Sequence, residues 1–287
     1  MNRGEEISSL LRISSEELVR KANGHLIILD TLEDLHRHFA RSLADEVEKN
    51  NRENKPTILI LPYGPVPQYP IFVNHVNDER ISLKLCTFFF MDEYTDDNGT
   101  EIKEDHFLSF KGGIKRIFAN VKPEFAIRED HLIFPSTENI YHLKEMMREG
   151  GGVQTCYGGI GIHGHLAFNE PEPGVKWTDP RLVYLNNFTI TINCIREGVG
   201  GDLINFPRKA LTIGMNQILG SKRIRLYCRN DVPGLDWANT VLRLAVLGSP
   251  DDDYPVTHIR NHSDWLVITD RNTASTPKHV LESFPQV

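Results

Sequence analysis

Apolar runs alternate with segments of helical periodicity through the first half of the chain. Residues 57–61, 84–90 and 153–157 are largely apolar and β-prone, which is typical of strands that are buried on both faces of a parallel sheet. Residues 32–50 instead carry apolar side chains three and four positions apart, and Thr31 is placed to cap the N-terminus of a helix. The alternation predicts repeated strand–helix–strand units.

The same periodicities predict elements along the rest of the chain. The predicted helices are residues 8–21, 32–50, 69–78, 105–118 (with an irregular break at Gly112-Gly113), 137–149 and 237–247. The predicted strands are residues 25–29, 57–61, 84–90, 153–157, 182–192, 210–214, 224–228 and 265–269, and residues 62–67 and 92–104 are predicted loops. This order predicts an α/β fold with a doubly wound, mostly parallel sheet and helices on both faces. Because no linker or repeat divides the sequence, we expect one domain over residues 1–287.

The most distinctive segment is a stretch rich in glycine and histidine after the strand predicted at residues 153–157. Its closely spaced glycines allow the backbone to turn sharply and approach a ligand. His163, His165, Asn169 and Glu170 follow within eight positions. Open α/β sheets bind ligands where their strands end, and histidine and glutamate suit proton transfer. We therefore favour a catalytic loop over the alternative, a glycine-rich turn with solvated polar residues.

A second polar segment, Met91-Asp92-Glu93-Tyr94, follows the strand predicted at residues 84–90. Taken alone, it is equally consistent with an acidic surface loop. Parallel strands, however, end at the same edge of a sheet, so this segment and the histidine-rich loop are expected to share a pocket. Such a pocket would combine carboxylates with a histidine for acid/base chemistry.

A third segment, Tyr63-Gly64-Pro65-Val66-Pro67, follows the strand predicted at residues 57–61. A loop at this position could bind phosphate through backbone amides at the N-terminus of the next helix. Each proline removes one amide donor, so the sequence weakens this interpretation.

Composition and charge exclude several classes of function. The net charge of −7 disfavours a broad basic surface for nucleic acid. No segment approaches the ~18 apolar residues that a membrane-spanning helix needs, and the N-terminus lacks the apolar region of a signal peptide, so we expect a cytoplasmic protein. The four cysteines are far apart, and no acidic or cysteine partner lies at metal-ligand spacing from His163 and His165, so we expect no metal site.

Four segments together resemble the glucosamine-6-phosphate deaminase (isomerase) family, which is related to the 6-phosphogluconolactonases. They are residues 90–94, 158–161, 164–171 and 207–215. The resemblance implies that His165, supported by Glu170, acts as acid and base in opening the sugar ring. It implies that Asp92 then moves a proton between C1 and C2, that the amine leaves as ammonia, and that no cofactor is needed. Family members are often oligomers, so a homo-oligomer is possible.

The chain departs from the family pattern at several positions. His163 stands where the family usually has an aspartate that orients the catalytic histidine. The proline-rich loop at residues 63–67 replaces one rich in glycine and threonine, and residues 228–233 lack the family's phosphate-binding lysine. Arg229 and Arg196 are the candidates to replace the missing phosphate contacts. Each charge-assisted contact that is lost would weaken binding by about 1.5–3 kcal/mol.

These considerations predict a set of site residues and leave alternatives open. The predicted catalytic residues are Asp92, His165, Glu170 and His163. The predicted substrate-binding residues are Tyr63, Gly64, Glu93, Gly159, Gly161, Gly164, Asn169, Arg196 and Arg229. The predicted activity is isomerisation and deamination of an amino-sugar phosphate. The alternatives are a divergent isomerase or lactonase-type hydrolase acting on another sugar, and a non-catalytic sugar-binding protein.

Overall fold

The computed structural model describes residues 2–278 and residue 280. Its strands are β1 (Leu26–Leu29), β2 (Thr57–Leu61), β3 (Cys86–Phe90), β4 (Asp92–Thr95), β5 (Leu132–Ile133), β6 (Thr155–Gly159), β7 (Arg181–Tyr184), β8 (Lys209–Thr212), β9 (Arg223–Tyr227) and β10 (Trp265–Asp270). Its α-helices are α1 (Arg3–Leu11), α2 (Ser15–Ala22), α3 (Leu32–Arg52), α4 (Gln68–Asp78), α5 (Phe110–Phe118), α6 (Leu143–Glu149), α7 (Asn187–Arg196), α8 (Met215–Leu219), α9 (Trp237–Leu247) and α10 (Arg271–Ala274). None of the helices in this part of the chain combines the length and hydrophobicity that crossing a membrane requires.

The main sheet has seven strands in the order β1-β10-β9-β6-β2-β3-β5 within the described residues. Every neighbouring pair in it is parallel. Alternate side chains of β2 enter two different cores: Ile58 and Ile60 pack on the side of α1, α2 and α9, whereas Leu59 and Leu61 pack on the side of α3, α4 and α5. The predicted doubly wound parallel sheet with helices on both faces is therefore confirmed.

A smaller antiparallel sheet, in the order β4-β8-β7, covers one part of the carboxyl edge of the main sheet. The chain passes from β3 into β4 through Met91, whose N–H donates to Leu61 and whose carbonyl accepts from Ile213. The prediction of a loop over residues 92–104 is thus wrong at its start, where pairing with β8 makes a strand. This pairing fixes Asp92 directly beyond the end of β3.

The predicted strand over residues 182–192 is wrong in its second half. The strand β7 ends at Tyr184, and α7 begins after Asn186, whose side chain accepts the N–H of Thr189. An N-cap of this kind satisfies a backbone donor that a helix leaves free at its start. The cap therefore overrides the β-branched residues that suggested a continuing strand.

Three predicted helices also differ from the structure. Residues 8–21 form two helices, because Ser14 caps a new helix at its own N-terminus. Residues 105–118 and 137–149 are helical only over α5 and α6. The glycines Gly112 and Gly113 lie inside α5 without breaking it; a Cβ on Gly113 would come within 2.8 Å of the hydroxyl of Tyr63, so this glycine permits a close approach. The other predicted helices and strands are confirmed to within two residues at each end.

The predicted extent of one domain, residues 1–287, stays a prediction. Met1, His279 and residues 281–287 lie outside the described residues.

Candidate active site

A cavity of about 640 Å³ opens at the carboxyl ends of β2, β3, β6 and β9. Each of these strands contributes the loop that follows it, so the expectation of one shared pocket at this edge is met. The cavity wall contains eight of the residues that the sequence singled out: Tyr63, Gly64, Asp92, Gly159, Gly161, His165, Arg196 and Arg229. The other five, His163, Glu170, Glu93, Gly164 and Asn169, lie behind this wall and hold parts of it in place.

Asp92 is a buried carboxyl group in the wall of the cavity, with 8% of its surface exposed. Burial, and to a smaller extent the charge of Glu93, raises the pKa of Asp92 to about 8. Desolvation disfavours the ionised form of a carboxyl group. An ionised Asp92 is therefore a stronger base than an ordinary carboxylate, as proton abstraction from carbon requires.

Glu93 follows Asp92 directly but is placed on the opposite side of β4. Its carboxylate accepts hydrogen bonds from the N–H groups of Phe110 (3.0 Å) and Lys111 (2.8 Å) and from the hydroxyl of Ser109 (3.1 Å). These donors belong to the N-cap and first turn of α5. The helix dipole also stabilises a negative charge at this end of a helix. Glu93 therefore anchors α5 and does not line the cavity.

His165 lies in the wall with only 8% of its surface exposed. Burial, followed by the nearby His163 and Arg196, lowers the pKa of His165 to about 3, so the ring is neutral near pH 7. Its Nδ1 atom is buried and has no hydrogen-bond partner among the described residues. A neutral imidazole can accept a proton at one nitrogen and donate from the other, which suits it to move a proton between two atoms of a ligand.

Gly161 sets the position of the His165 ring. The N–H of Gly161 donates to the carbonyl of His165 at 3.0 Å, and the ring packs directly on the glycine. A Cβ at this position would lie 1.8 Å from Nε2 of His165. Glycine is therefore required here because any side chain would displace the imidazole.

No hydrogen bond links His163 to His165 in the structure as described. The two ring centroids are 6.5 Å apart, and Nδ1 of His163 accepts a hydrogen bond from the side-chain amide of Asn186 at 3.2 Å. The ring of His163 also packs edge-on against Phe188, at a centroid distance of 5.0 Å. Burial lowers the pKa of His163. A neutral ring in this position cannot supply the fixed negative charge that the resemblance associates with an aspartate.

Asn186 links His163 to Glu170 and was missed by the sequence analysis. Its backbone N–H donates to Oε2 of Glu170 at 2.9 Å, while its side chain contacts His163 and caps α7 through Thr189. Burial raises the pKa of Glu170, and its Oε1 atom is buried without a hydrogen-bond partner in the described chain. The signal that could have found Asn186 is its identity as a good N-cap residue.

Asn169 and Gly164 shape the loop rather than the cavity. The side-chain amide of Asn169, which is fully buried, donates to the carbonyls of Leu166 and Ile213 at 2.9 Å each. Gly164 has a φ of 67° and its carbonyl accepts from Val256 at 2.7 Å. These bonds hold the loop that carries His165 against the neighbouring elements.

Two arginines and an aspartate form a charged cluster at the opposite part of the wall. The carboxylate of Asp231 accepts from Nε (3.1 Å) and Nη2 (3.0 Å) of Arg196 and from Nη2 of Arg229 (2.8 Å). Arg229 is buried, and burial lowers its pKa to about 10. Cβ atoms added to Gly64 and Gly159 would lie 3.7 and 3.6 Å from its guanidinium, so the loops after β2 and β6 pass beside this cation.

His36 and Tyr63 complete the wall near this cluster. His36 comes from α3, and its Nε2 atom is buried without a partner in the described chain; burial, and next the charge of Arg229, lowers its pKa. Tyr63 stacks on Phe110 at a centroid distance of 4.3 Å. Helical periodicity gave no indication that His36 would reach the cavity, because its position depends on how α3 packs on the sheet.

No group of three histidine, cysteine, aspartate or glutamate side chains suited to a metal ion occurs among residues 2–278 and 280. The cavity wall presents Asp92 and His165 as acid/base groups and two arginines as anion-binding groups.

Comparison with known proteins confirms the resemblance that the sequence indicated, although no protein-family model matches the chain. Glucosamine-6-phosphate deaminase of Mycoplasma mycoides is 24% identical over 253 residues, which cover 87% of this chain and 96% of that protein. Glucosamine-6-phosphate deaminase of Caenorhabditis elegans is 28% identical over 209 residues, covering 70% of this chain and 74% of that protein.

Solved structures with the same fold include a deaminase and several 6-phosphogluconolactonases. A monomeric glucosamine-6-phosphate deaminase superposes with a TM-score of 0.74 at 23% identity, covering 88% of this chain and 99% of that one. The 6-phosphogluconolactonase of Thermotoga maritima superposes with a TM-score of 0.61 at 13% identity, covering 85% of this chain and 98% of that one. Both structures share the parallel sheet described above.

Proposed function

Because the chain is a divergent relative of the glucosamine-6-phosphate deaminases, we propose that it isomerises and deaminates an amino-sugar phosphate. The observation that carries this proposal is that Asp92 and His165 line one cavity together with Arg196 and Arg229. A base for carbon, an acid/base group for oxygen and two cations for an anion are the groups that such a reaction needs.

The reaction would begin with opening of the sugar ring. The neutral imidazole of His165 takes the proton of the hydroxyl at C1 and delivers one to the ring oxygen, so the bond between C1 and that oxygen breaks and an open-chain aldehyde forms. A histidine whose pKa is lowered to about 3 returns its proton readily. Glu170 and Asn186 support the loop that places this ring.

The next steps would transfer a proton between two carbons. Ionised Asp92 removes the proton from C2, which is acidic because it is next to the aldehyde, and water gives a proton to the aldehyde oxygen, so that an enol that still carries the amine forms. Asp92 then returns its proton to C1, which leaves a protonated imine at C2. Water adds to this imine, and the carbon–nitrogen bond breaks to release ammonium and a ketose phosphate. These steps are proton transfers and a hydrolysis, so we propose that no cofactor takes part.

Arg229 and Arg196 would bind the phosphate of the substrate. Guanidinium groups bind phosphate through paired, charge-assisted hydrogen bonds, and both arginines line the cavity. All the proposed groups come from one chain, so no step requires a second copy. The proposed location is the cytoplasm, in keeping with four buried, unpaired cysteines.

An ammonia-release assay across hexosamine 6-phosphates, each with its unphosphorylated counterpart, tests this proposal. We expect ammonia from at least one hexosamine phosphate, and release at least about 100-fold slower from the same sugar with the Asp92→Asn variant. Absence of ammonia from the whole panel at high enzyme concentration would exclude the proposed activity. Hydrolysis of 6-phosphogluconolactone, measured in parallel, would instead favour the reaction of the lactonases that share the fold.

A further inference from the structure

The two cavity arginines already have a carboxylate bound to them. Both oxygens of Asp231 are used: Oδ1 accepts from Arg196 and Oδ2 accepts from Arg229, at distances of 2.8 to 3.1 Å. Guanidinium groups bind a ligand carboxylate or phosphate through charge-assisted hydrogen bonds of the same kind. Asp231 therefore occupies donors that an anionic substrate would use.

The cluster is largely shielded from water, so the electrostatic interactions between its charges are weakly screened. The side chains of Arg229, Asp231 and Arg196 are 9%, 19% and 22% exposed. Although burial raises the pKa of Asp231, the charges of Arg229 and then Arg196 outweigh it and hold that pKa below its ordinary value. Asp231 is consequently ionised, and the three side chains carry a net charge of +1.

A net charge of +1 is too small to neutralise a phosphate dianion. The neighbouring His36 adds no compensating cation near pH 7, since its pKa is lowered. Two further acids, Asp92 and Glu197, line the wall, and burial is the main cause that raises the pKa of each. Neither of them can supply the missing positive charge. A buried dianion facing Asp231 would meet a like charge, which is unfavourable by several kcal/mol at protein interfaces.

Asp231 is also placed where it could move. It belongs to the segment between β9 and α9, in which residues 228–236 form no helix or strand. Arg196 keeps a second contact, with its guanidinium 5.3 Å from the centre of the Trp237 ring, and Arg229 is enclosed by the backbone at Gly64 and Gly159. The arginines can thus stay in place while the carboxylate shifts.

We propose that Asp231 is an internal competitor for the substrate's anionic group, which lowers the affinity of this cavity for phosphate and favours groups with a single negative charge. This inference rests on the proposed function for the part of the substrate that faces the arginines. It concerns binding alone, so it can be tested with inorganic phosphate and without turnover.

The test measures the dissociation constant of inorganic phosphate for the full-length protein by calorimetry at constant ionic strength. We expect Asp231→Asn to bind phosphate about tenfold more tightly or better, because a like charge is removed. The matched control is Asp264→Asn, which makes the same charge change at the exposed pair with Arg225 and is expected to leave the constant unchanged. Adding Arg229→Gln to Asp231→Asn is expected to abolish the gain.

Unchanged or weaker phosphate binding by a folded Asp231→Asn protein would overturn the proposal and make Asp231 a group that merely positions the arginines. Equal tightening by Asp264→Asn would overturn it too, because the effect would then be one of net charge. Should Asp231→Asn fold poorly, Asp231→Ser provides a smaller neutral side chain, and a phosphate-dependent rise in its Tm larger than that of the wild type is the expected result. Failure to release ammonia from any sugar would refute the proposed activity while leaving this titration intact.

Discussion

Asp92 and Glu93 are neighbours in β4, yet one carboxyl group lines the cavity and the other binds the start of α5. Successive side chains of a strand point to opposite faces, so two adjacent acids acquire different surroundings. Burial raises the pKa of both groups, to about 8 for Asp92, but three backbone N–H groups and a hydroxyl that donate to Glu93 oppose the effect of burial there. The strand thus separates a candidate base from a structural anchor.

Matched amide substitutions should separate these two contributions. We expect Asp92→Asn to lower kcat by about 10²–10⁴-fold without loss of stability near pH 7, because a carboxyl group with a pKa of about 8 is largely protonated there and the amide has the same shape. We expect Glu93→Gln to lower the free energy of unfolding by about 1–3 kcal/mol, because charge-assisted bonds to α5 are lost. Ammonia release and urea unfolding measure the two effects.

Each substitution serves as the control for the other. A folded Asp92→Asn enzyme with near wild-type turnover would show that another group abstracts the proton. Full stability of Glu93→Gln would show that the cap of α5 contributes little.

The pH dependence should report the raised pKa of Asp92. The base must be ionised, so kcat/KM, which reflects groups of the free enzyme, should rise as the pH increases and level off above about 8. The neutral His165, with a pKa lowered to about 3, should add no limb in this range. An ascending limb centred near pH 4 would contradict the buried setting of Asp92.

The same pKa has a consequence for stability. Folding raises the pKa of Asp92 from 3.8 to about 8, so between these values the folded protein binds the proton that the unfolded chain releases. Stability from this group is present below pH 3.8 and is lost as the pH rises towards 8. We expect the difference in unfolding free energy between Asp92→Asn and the wild type to grow over this range, as measured by urea titrations at several pH values.

The parts of the fold that could be predicted are those with a local signature. Thr31 caps α3 as expected, and β2 and β3 are apolar enough to be recognised as buried strands. The start of α7 was not predicted correctly, because Ile190 and Ile192 favour a strand. Only the N-cap at Asn186 indicates that a helix begins there. Where β-branched residues and a cap compete, the strand propensity of the side chains alone is misleading.

The candidate site shows the same division between local and tertiary information. Asp92 and His165 could be placed together because both follow parallel strands, whose ends meet at one edge. His36 reaches the cavity from the helix layer, and the contact of Asp231 with Arg196 joins residues 35 positions apart. No local pattern encodes such contacts, and they determine the charge of the anion-binding part of the cavity.

Gly161 should be as important as the residues that react. We expect Gly161→Ala to lower kcat by about 10²-fold, because its Cβ would occupy the place of Nε2 of His165 and a misplaced group loses catalytic alignment. Gly201→Ala is the control, since no atom lies within 4 Å of a Cβ there, and it should be neutral. A circular dichroism spectrum and Tm close to those of the wild type would show that the defect is confined to the site. Full activity of Gly161→Ala would instead show that the loop can rearrange to accommodate the added methyl group.

His163 and His165 should differ sharply in their contributions. We expect His165→Ala to lower kcat by about 10²–10⁴-fold. We expect His163→Ala to lower it by far less, because the hydrogen bond of His163 goes to Asn186 and its ring packs edge-on against Phe188. His163→Asp should raise the pKa of His165, since a carboxylate nearby favours the imidazolium. Titration of the two rings by NMR, alongside ammonia release, measures both effects. A loss in His163→Ala as large as in His165→Ala would mean that the first histidine takes part in the proton transfer itself.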